Sequence, residues 1–153
     1  MATGKVDRVA VVVPDVNAVA AELKRLFGIE TKVHDVNAMG CRVGLSDEGF
    51  ELVQPLSASP RSASGWSGSL AAIGVRVDDI EESRAAMEKE GLELTSELVT
   101  PGGVRELYYA KGVGGLPMVL AEYGDGGFLR ETGADTDGPY EPDYLYRAGS
   151  SET

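Results

Sequence analysis

The residues able to do chemistry are few, and most of them sit in strands. His34 and Cys41 are the chain's one histidine and one cysteine. Cys41 lies in an apolar stretch with no neighbour to activate it as a nucleophile, so it reads as a small core side chain. His34, alone near a strand end, reads as a surface residue rather than a catalyst. Gly112–Gly115 lacks the Lys and Ser/Thr of a phosphate loop and reads as a hairpin. Asp135–Gly138 (DTDG) lacks the spaced carboxylates and closing Glu of a calcium loop. What is left is a set of charged and phenolic groups: Arg8, Glu51, Arg76 and the Tyr108–Tyr109 pair. A guanidinium presents a planar fork to a carboxylate or enolate oxygen. A partly buried carboxylate gains the basicity needed to take a proton. Tyr108 and Tyr109, adjacent in a strand, point to opposite faces, one into the core and one into a cavity. Tyr109 is the candidate hydroxyl acid and Tyr108 a candidate ligand contact.

The elements that must position these groups come as a repeat. Val6–Val16 (VDRVAVVVPDV) returns as Leu70–Ile80 (LAAIGVRVDDI), with Val9 on Ile73, Val13 on Val77 and Asp15 on Asp79. Each copy is an alternating strand, an acidic turn and a segment with helical spacing, so the chain reads as two similar modules. In Val6–Val13 the period of two puts Arg8, Ala10 and Val12 on one face, and leaves the valines Val9, Val11 and Val13 to meet a helix. Asp15 and Asp79 are N-caps, and Gly28 and Gly91 are stops. Three strands are expected after each helix: Thr31–Val36, Met39–Leu45 and Gly49–Gln54, then Leu94–Thr100, Val104–Lys111 and Pro117–Tyr123. The chain thus divides into a first module over 5–55, a Ser/Gly/Ala-rich linker over 56–69 that contains Trp66, a second module over 70–123, and a tail over 124–153. The tail holds Tyr140, Tyr144 and Tyr146, which a fully solvated arm does not need.

Composition sets the outer limits. A chain of 153 residues that is 42% hydrophobic makes one domain with a real core. A net charge of −11 disfavours nucleic acid and anionic membranes as partners. No apolar run is long enough to span a bilayer, and the start MATGKVDR has no signal-peptide core. The expected location is the cytoplasm.

The order βαβββ–βαβββ, with VDRVAVVVPDV, GFELVQP (Gly49–Pro55), LAAIGVRVDDI and the run GVRELYYA…GLPMVLAEY, resembles the vicinal oxygen chelate superfamily. This is the group of glyoxalases, bleomycin-resistance proteins and extradiol dioxygenases. The resemblance covers Val6–Tyr123 and implies an α+β fold: two βαβββ modules whose curled sheets enclose a cavity, with helices on the outer faces. It also implies four inward metal-ligand positions, on the first and last strands of each module. Here these positions carry Arg8, Glu51, Ala72 and Val119, so one ligand of four remains. A lone carboxylate beside a guanidinium does not hold a catalytic metal tightly, and neither a family-type metal nor a cofactor is expected.

The resemblance places Arg8 and Glu51 on adjacent strands facing the cavity. Two readings of the pair stand. It is a salt bridge that fills the vacated site, or Arg8 anchors a substrate oxyanion and Glu51 is a general base. Arg76 shares its strand's inner face with Ala72 and Gly74 and is a second candidate anchor. The small side chains at Ala10, Ala72, Gly74, Val119 and Ala121 leave room for an apolar ligand body, with Trp66 a candidate lid. The favoured reading is a metal-independent isomerase, lyase or cyclase that transfers a proton on a small organic molecule bearing a carboxylate or an enolisable carbonyl. The alternative is a non-catalytic drug- or metabolite-binding protein, which only 7% aromatic residues and a basic cavity make a poor host for cationic drugs. A structural or regulatory module is a third class. Members with one module pair often form dimers, so a homodimer is expected.

Overall fold

A computed structural model describes residues 1–56 and 69–149. The first module contains β1 (Gly4–Val12), α1 (Val16–Phe27), β2 (Lys32–Val36), β3 (Cys41–Leu45) and β4 (Phe50–Pro55). The second contains β5 (Leu70–Val77), α2 (Ile80–Lys89), β6 (Ser96–Val99), β7 (Arg105–Tyr109) and β8 (Met118–Ala121). Both helices start as the sequence dictates: Asp15 accepts a bond from Ala18 N at 3.1 Å, and Asp79 one from Glu82 N at 2.9 Å. Met39, expected at the start of β3, lies instead in a single 3-10 turn.

The two module sheets are one. Nine strands run in the order β2-β3-β4-β1-β5-β8-β7-β6-β9, curled into a half-barrel. β1 and β5 are joined antiparallel at its centre, while β1–β4 and β5–β8 are parallel. The β1–β5 register shifts between Val6 and Arg8, a bulge at Asp7 that turns the strand beside the candidate site. On the outer face, Val16 of α1 packs with Val13 and Leu52, and Ile80 and Met87 of α2 pack with Val77, Leu107 and Tyr109.

The ninth strand comes from the tail. After β8 the chain forms a short helix, α3 (Phe128–Thr132), crosses to the first module, and returns as β9 (Asp143–Arg147) antiparallel to β6. On the way it lays Phe128, Ala134 and Tyr140 against Val36, Cys41, Val43 and Leu45. Those four residues alternate along β2 and β3, so they are the inner face of module one. The tyrosine-bearing tail is therefore a strap over the chain's own concave face.

Candidate active site

Arg8 is at the centre of that face. It is only 7% exposed, and its aliphatic stem lies over Gly74, its partner across the β1–β5 register. A Cβ at residue 74 would sit 2.2 Å from Arg8 Cγ. The space that glycine leaves is thus taken by Arg8 itself rather than kept for a ligand. The Phe128 ring covers the guanidinium, with Cζ 3.1 Å from the ring centroid. Arg8 Nε and Nη1 are buried without a hydrogen-bond partner. The ion-pair contact it does make is long, from Nε to Asp7 Oδ1 at 4.0 Å.

Two carboxyls flank this cation. Glu51 on β4 stands opposite Ala10 of β1, and Glu106 on β7 stands opposite Ala121 of β8. Both are half-buried. Burial pushes Glu51 above the usual carboxylate range, with Arg8 opposing the rise and Asp7 adding to it. Glu106 is pushed up to about 8 by burial and by the negative charge of Glu51. Arg8 is in turn lowered by burial, with Glu51 the largest influence in the opposite direction. Asp7 is also raised by burial, and it accepts a hydrogen bond from the Tyr123 hydroxyl. The site is a guanidinium with two open donors between two carboxyls of raised pKa. Such groupings mark places where protons are moved.

The other expected residues divide. Ala72 and Val119 line the inner face with Tyr108, which is half-buried and pairs with Val119 across β7–β8. Tyr109 does not join them. It is fully buried on the opposite face under α2, beside Met87 and Leu107, because alternation along β7 gives that face to the helix. Glu106, two residues before Tyr108 and so on its face, provides the inward acid instead. Arg76 is not a free anchor: its Nε donates to Tyr123 O at 3.0 Å and its Nη2 to Asp125 Oδ1 at 3.0 Å, at the root of the strap. His34 is not at the surface. It is 7% exposed, donates from Nε2 to Ala134 O at 2.8 Å, and stacks on Tyr140 at 5.2 Å. Trp66 lies outside the described residues. Cys41 is in the core, where burial raises its thiol to about 11.

The four inward positions do not fit a divalent ion. A guanidinium, an alanine and a valine donate no lone pair, and among the described residues no three His, Cys, Asp or Glu side chains come together as a metal would need. Residues 7–109 match the sequence model of the Glyoxalase/Bleomycin resistance protein/Dioxygenase superfamily. The chain belongs to this superfamily. No curated protein sequence matches it. Solved structures of this superfamily fold resemble it at low identity. A Streptomyces coelicolor methylmalonyl-CoA epimerase variant in complex with 2-nitronate-propionyl-CoA is 17% identical, with a TM-score of 0.62 over 77% of this chain and 96% of that one. Methylmalonyl-CoA epimerase from Mycobacterium tuberculosis is 19% identical, with a TM-score of 0.63 over 76% and 86%. A hypothetical protein from Bacillus halodurans C-125 is 18% identical, with a TM-score of 0.66 over 80% and 96%. At these identities the likeness concerns the fold.

Proposed function

We propose that this superfamily member is a metal-independent enzyme of isomerase or lyase type, which moves a proton at the carbon beside a carbonyl or carboxylate of a small organic acid. The observation that carries the reading is the pair of buried, unpartnered donors on Arg8 between Glu51 and Glu106. An orphaned buried donor costs about 1–3 kcal/mol, so two of them disfavour the empty site. An oxyanion oxygen that accepts from either donor removes that donor's cost.

In this mechanism the carboxylate or nascent enolate oxygen lies on one of the open donors of Arg8. Glu51, made more basic by burial while Arg8 favours its charged form, takes the proton from the adjacent carbon, and the electron pair moves to the oxygen that Arg8 holds. Glu106, protonated at neutral pH because of its raised pKa, returns a proton to carbon. The enzyme ends with one proton on Glu51 and none on Glu106, and exchange with water restores the starting state. The fold neighbours named as epimerases carry out a reaction of this general class. The net charge of −11 and the acidic strap favour a small acid over a polyanionic conjugate.

The test is deuterium wash-in, followed by proton NMR, on a panel of small 2-substituted and 3-oxo acids. The expected result is exchange of the α-proton of at least one acid, abolished in Glu51→Gln. A folded protein that exchanges none of them overturns the reading.

A further inference from the structure

The strap has features that a fixed piece of core does not need. Its helical turn α3 lies between glycines, with Gly124, Gly126 and Gly127 before it and Gly133 after it. Gly127 adopts φ 93° and ψ 149°, a backbone region open to little but glycine. Both ends of the segment are tied: Arg76 grips Tyr123 and Asp125 on one side, and β9 is zipped onto β6 on the other. Between the ties, α3 and its flanks are held by separate contacts. Leu129 N donates to Asp47 Oδ1 at 3.0 Å, Gly102 N to Thr132 O at 2.8 Å, and His34 Nε2 to Ala134 O at 2.8 Å. Phe128 itself belongs to the buried cluster of Val36, Cys41, Val43 and Leu45, meets the Tyr123 ring edge-on, and lies over Arg8.

That contact leaves its partner incomplete. A desolvated cation–π pair is favourable, but a ring offers no lone pair to the two open donors, so both stay unsatisfied. The flanking carboxyls are half-buried and within reach of solvent, whereas the guanidinium is shut behind the ring. The half of the site that would move protons is open, and the half that would bind an anion is covered.

We infer that Phe128 is a placeholder: the segment Gly124–Gly133 is a flap closed over Arg8 in the empty protein, and an organic carboxylate with an apolar or aromatic body enters by displacing the Phe128 ring from the guanidinium. This rests on the reading of Arg8 as an anion anchor and adds that binding is coupled to flap opening. The ligand's carboxylate takes an open donor of Arg8 and its body takes the volume of the ring. Affinity is then reduced by the fraction of molecules in which the flap is closed.

Cys41 gives a direct readout. It shares one buried cluster with Phe128, Ala134 and Tyr140 and is 5% exposed. With its thiol raised to about 11, it is nearly inert while the flap is shut. The probe is benzoate, with benzyl alcohol as the uncharged control, on the full chain. Benzoate is expected to accelerate alkylation of Cys41 by iodoacetamide saturably, as read by mass spectrometry, and benzyl alcohol is not. Phe128→Leu, which keeps an apolar side chain without a ring, is expected to bind benzoate about tenfold more tightly and to label faster without ligand. If benzoate binds both proteins equally and Cys41 labelling is unchanged, the flap is overturned and the anion anchor stands. If benzoate binds neither, Arg8 is no anchor, and the proposed function falls together with the flap. The wild-type labelling result decides the matter even where Phe128→Leu folds poorly.

Discussion

The two modules share strand order and helix caps but differ in what their inner faces hold. Module one presents Val36, Cys41, Val43 and Leu45, all buried beneath the chain's own strap. Module two presents Glu106, Tyr108 and Val119, all half-buried. One half of a pseudo-symmetric barrel has become a dock for the tail while the other half remains a cavity wall. Arg8, on the central strand, is held between them. A duplicated fold can thus keep its backbone symmetry and still confine its chemistry to one side.

The largest test of this asymmetry compares Glu51 with Val119, the last-strand positions of the two modules. Glu51→Gln keeps the shape but cannot take a proton, and is expected to lower turnover by about 10²–10⁴ at nearly unchanged binding. Val119→Ala removes only wall volume and is expected to change kcat/KM by about tenfold. Steady-state kinetics on both variants, with an acid identified by deuterium exchange, check this. Equal losses would mean that the two sides of the cavity share the work.

Next in size is the difference between dock and wall. Tyr140 is 8% exposed and stacks on His34. Tyr140→Ala is expected to cost about 3–5 kcal/mol in urea unfolding, as for a large buried ring. Tyr108→Ala, on the half-buried wall, is expected to cost about 1–2 kcal/mol. A reversed order would show that the strap contributes little to stability.

Much of this was legible in the sequence, and what was not has a physical reason. The repeat of Val6–Val16 at Leu70–Ile80 predicts both strands and both capped helices, because period and caps are local signals. The same period of two places Arg8 on the inner face, but it does not say which of Tyr108 and Tyr109 turns inward, so Glu106, on the face of Tyr108, goes unread. The strap carries no such pattern. A five-residue helix and the strand Asp143–Arg147 exist through tertiary contacts to β6 and module one rather than through their own propensity. Arg76 and His34 are misread for the same reason, since both are engaged by a tail whose path no local rule predicts. The visible clues were Tyr140 and Tyr144 in an otherwise polar arm and the glycines around Phe128.

A smaller effect is expected at Gly74, which the repeat aligns with Ala10. Module one tolerates a methyl at its position, whereas a methyl at 74 would meet Arg8 Cγ at 2.2 Å. Gly74→Ala is expected to cost about 1–3 kcal/mol through displacement of the Arg8 stem. Ala10→Gly, in contrast, is expected to cost about 0.5–1 kcal/mol. Chemical denaturation of the two variants compares them directly, and equal costs would mean that Arg8 is free to move aside.

The smallest effect, and the one most specific to the open side, is the pH dependence conferred by Glu106. The groups acting on it are Glu51 of β4 and Arg8 and Asp7 of β1, and it influences Tyr140 and Tyr144 of the strap in turn. Its pKa is about 8 in the folded chain against an ordinary 4.5. Between those values the folded state binds more protons than the unfolded state, so stability falls as pH rises through that window. Below about 4.5 both states are protonated, and above about 8 both are ionised, so the slope from this group vanishes outside the window. Glu106 is half-buried, and solvent screening reduces the size of the effect. For a chain of this length each ~1 kcal/mol moves Tm by about 2–4 °C. Glu106→Gln is expected to flatten the decline of Tm between pH 5 and pH 8, leaving the contribution of Glu51, which has the same direction. Calorimetric scans of wild type and Glu106→Gln across that range make the comparison. Parallel curves would show that Glu106 is already ionised at neutral pH, which would remove it as the proton donor and leave Glu51 as the site's only carboxyl with an assigned role.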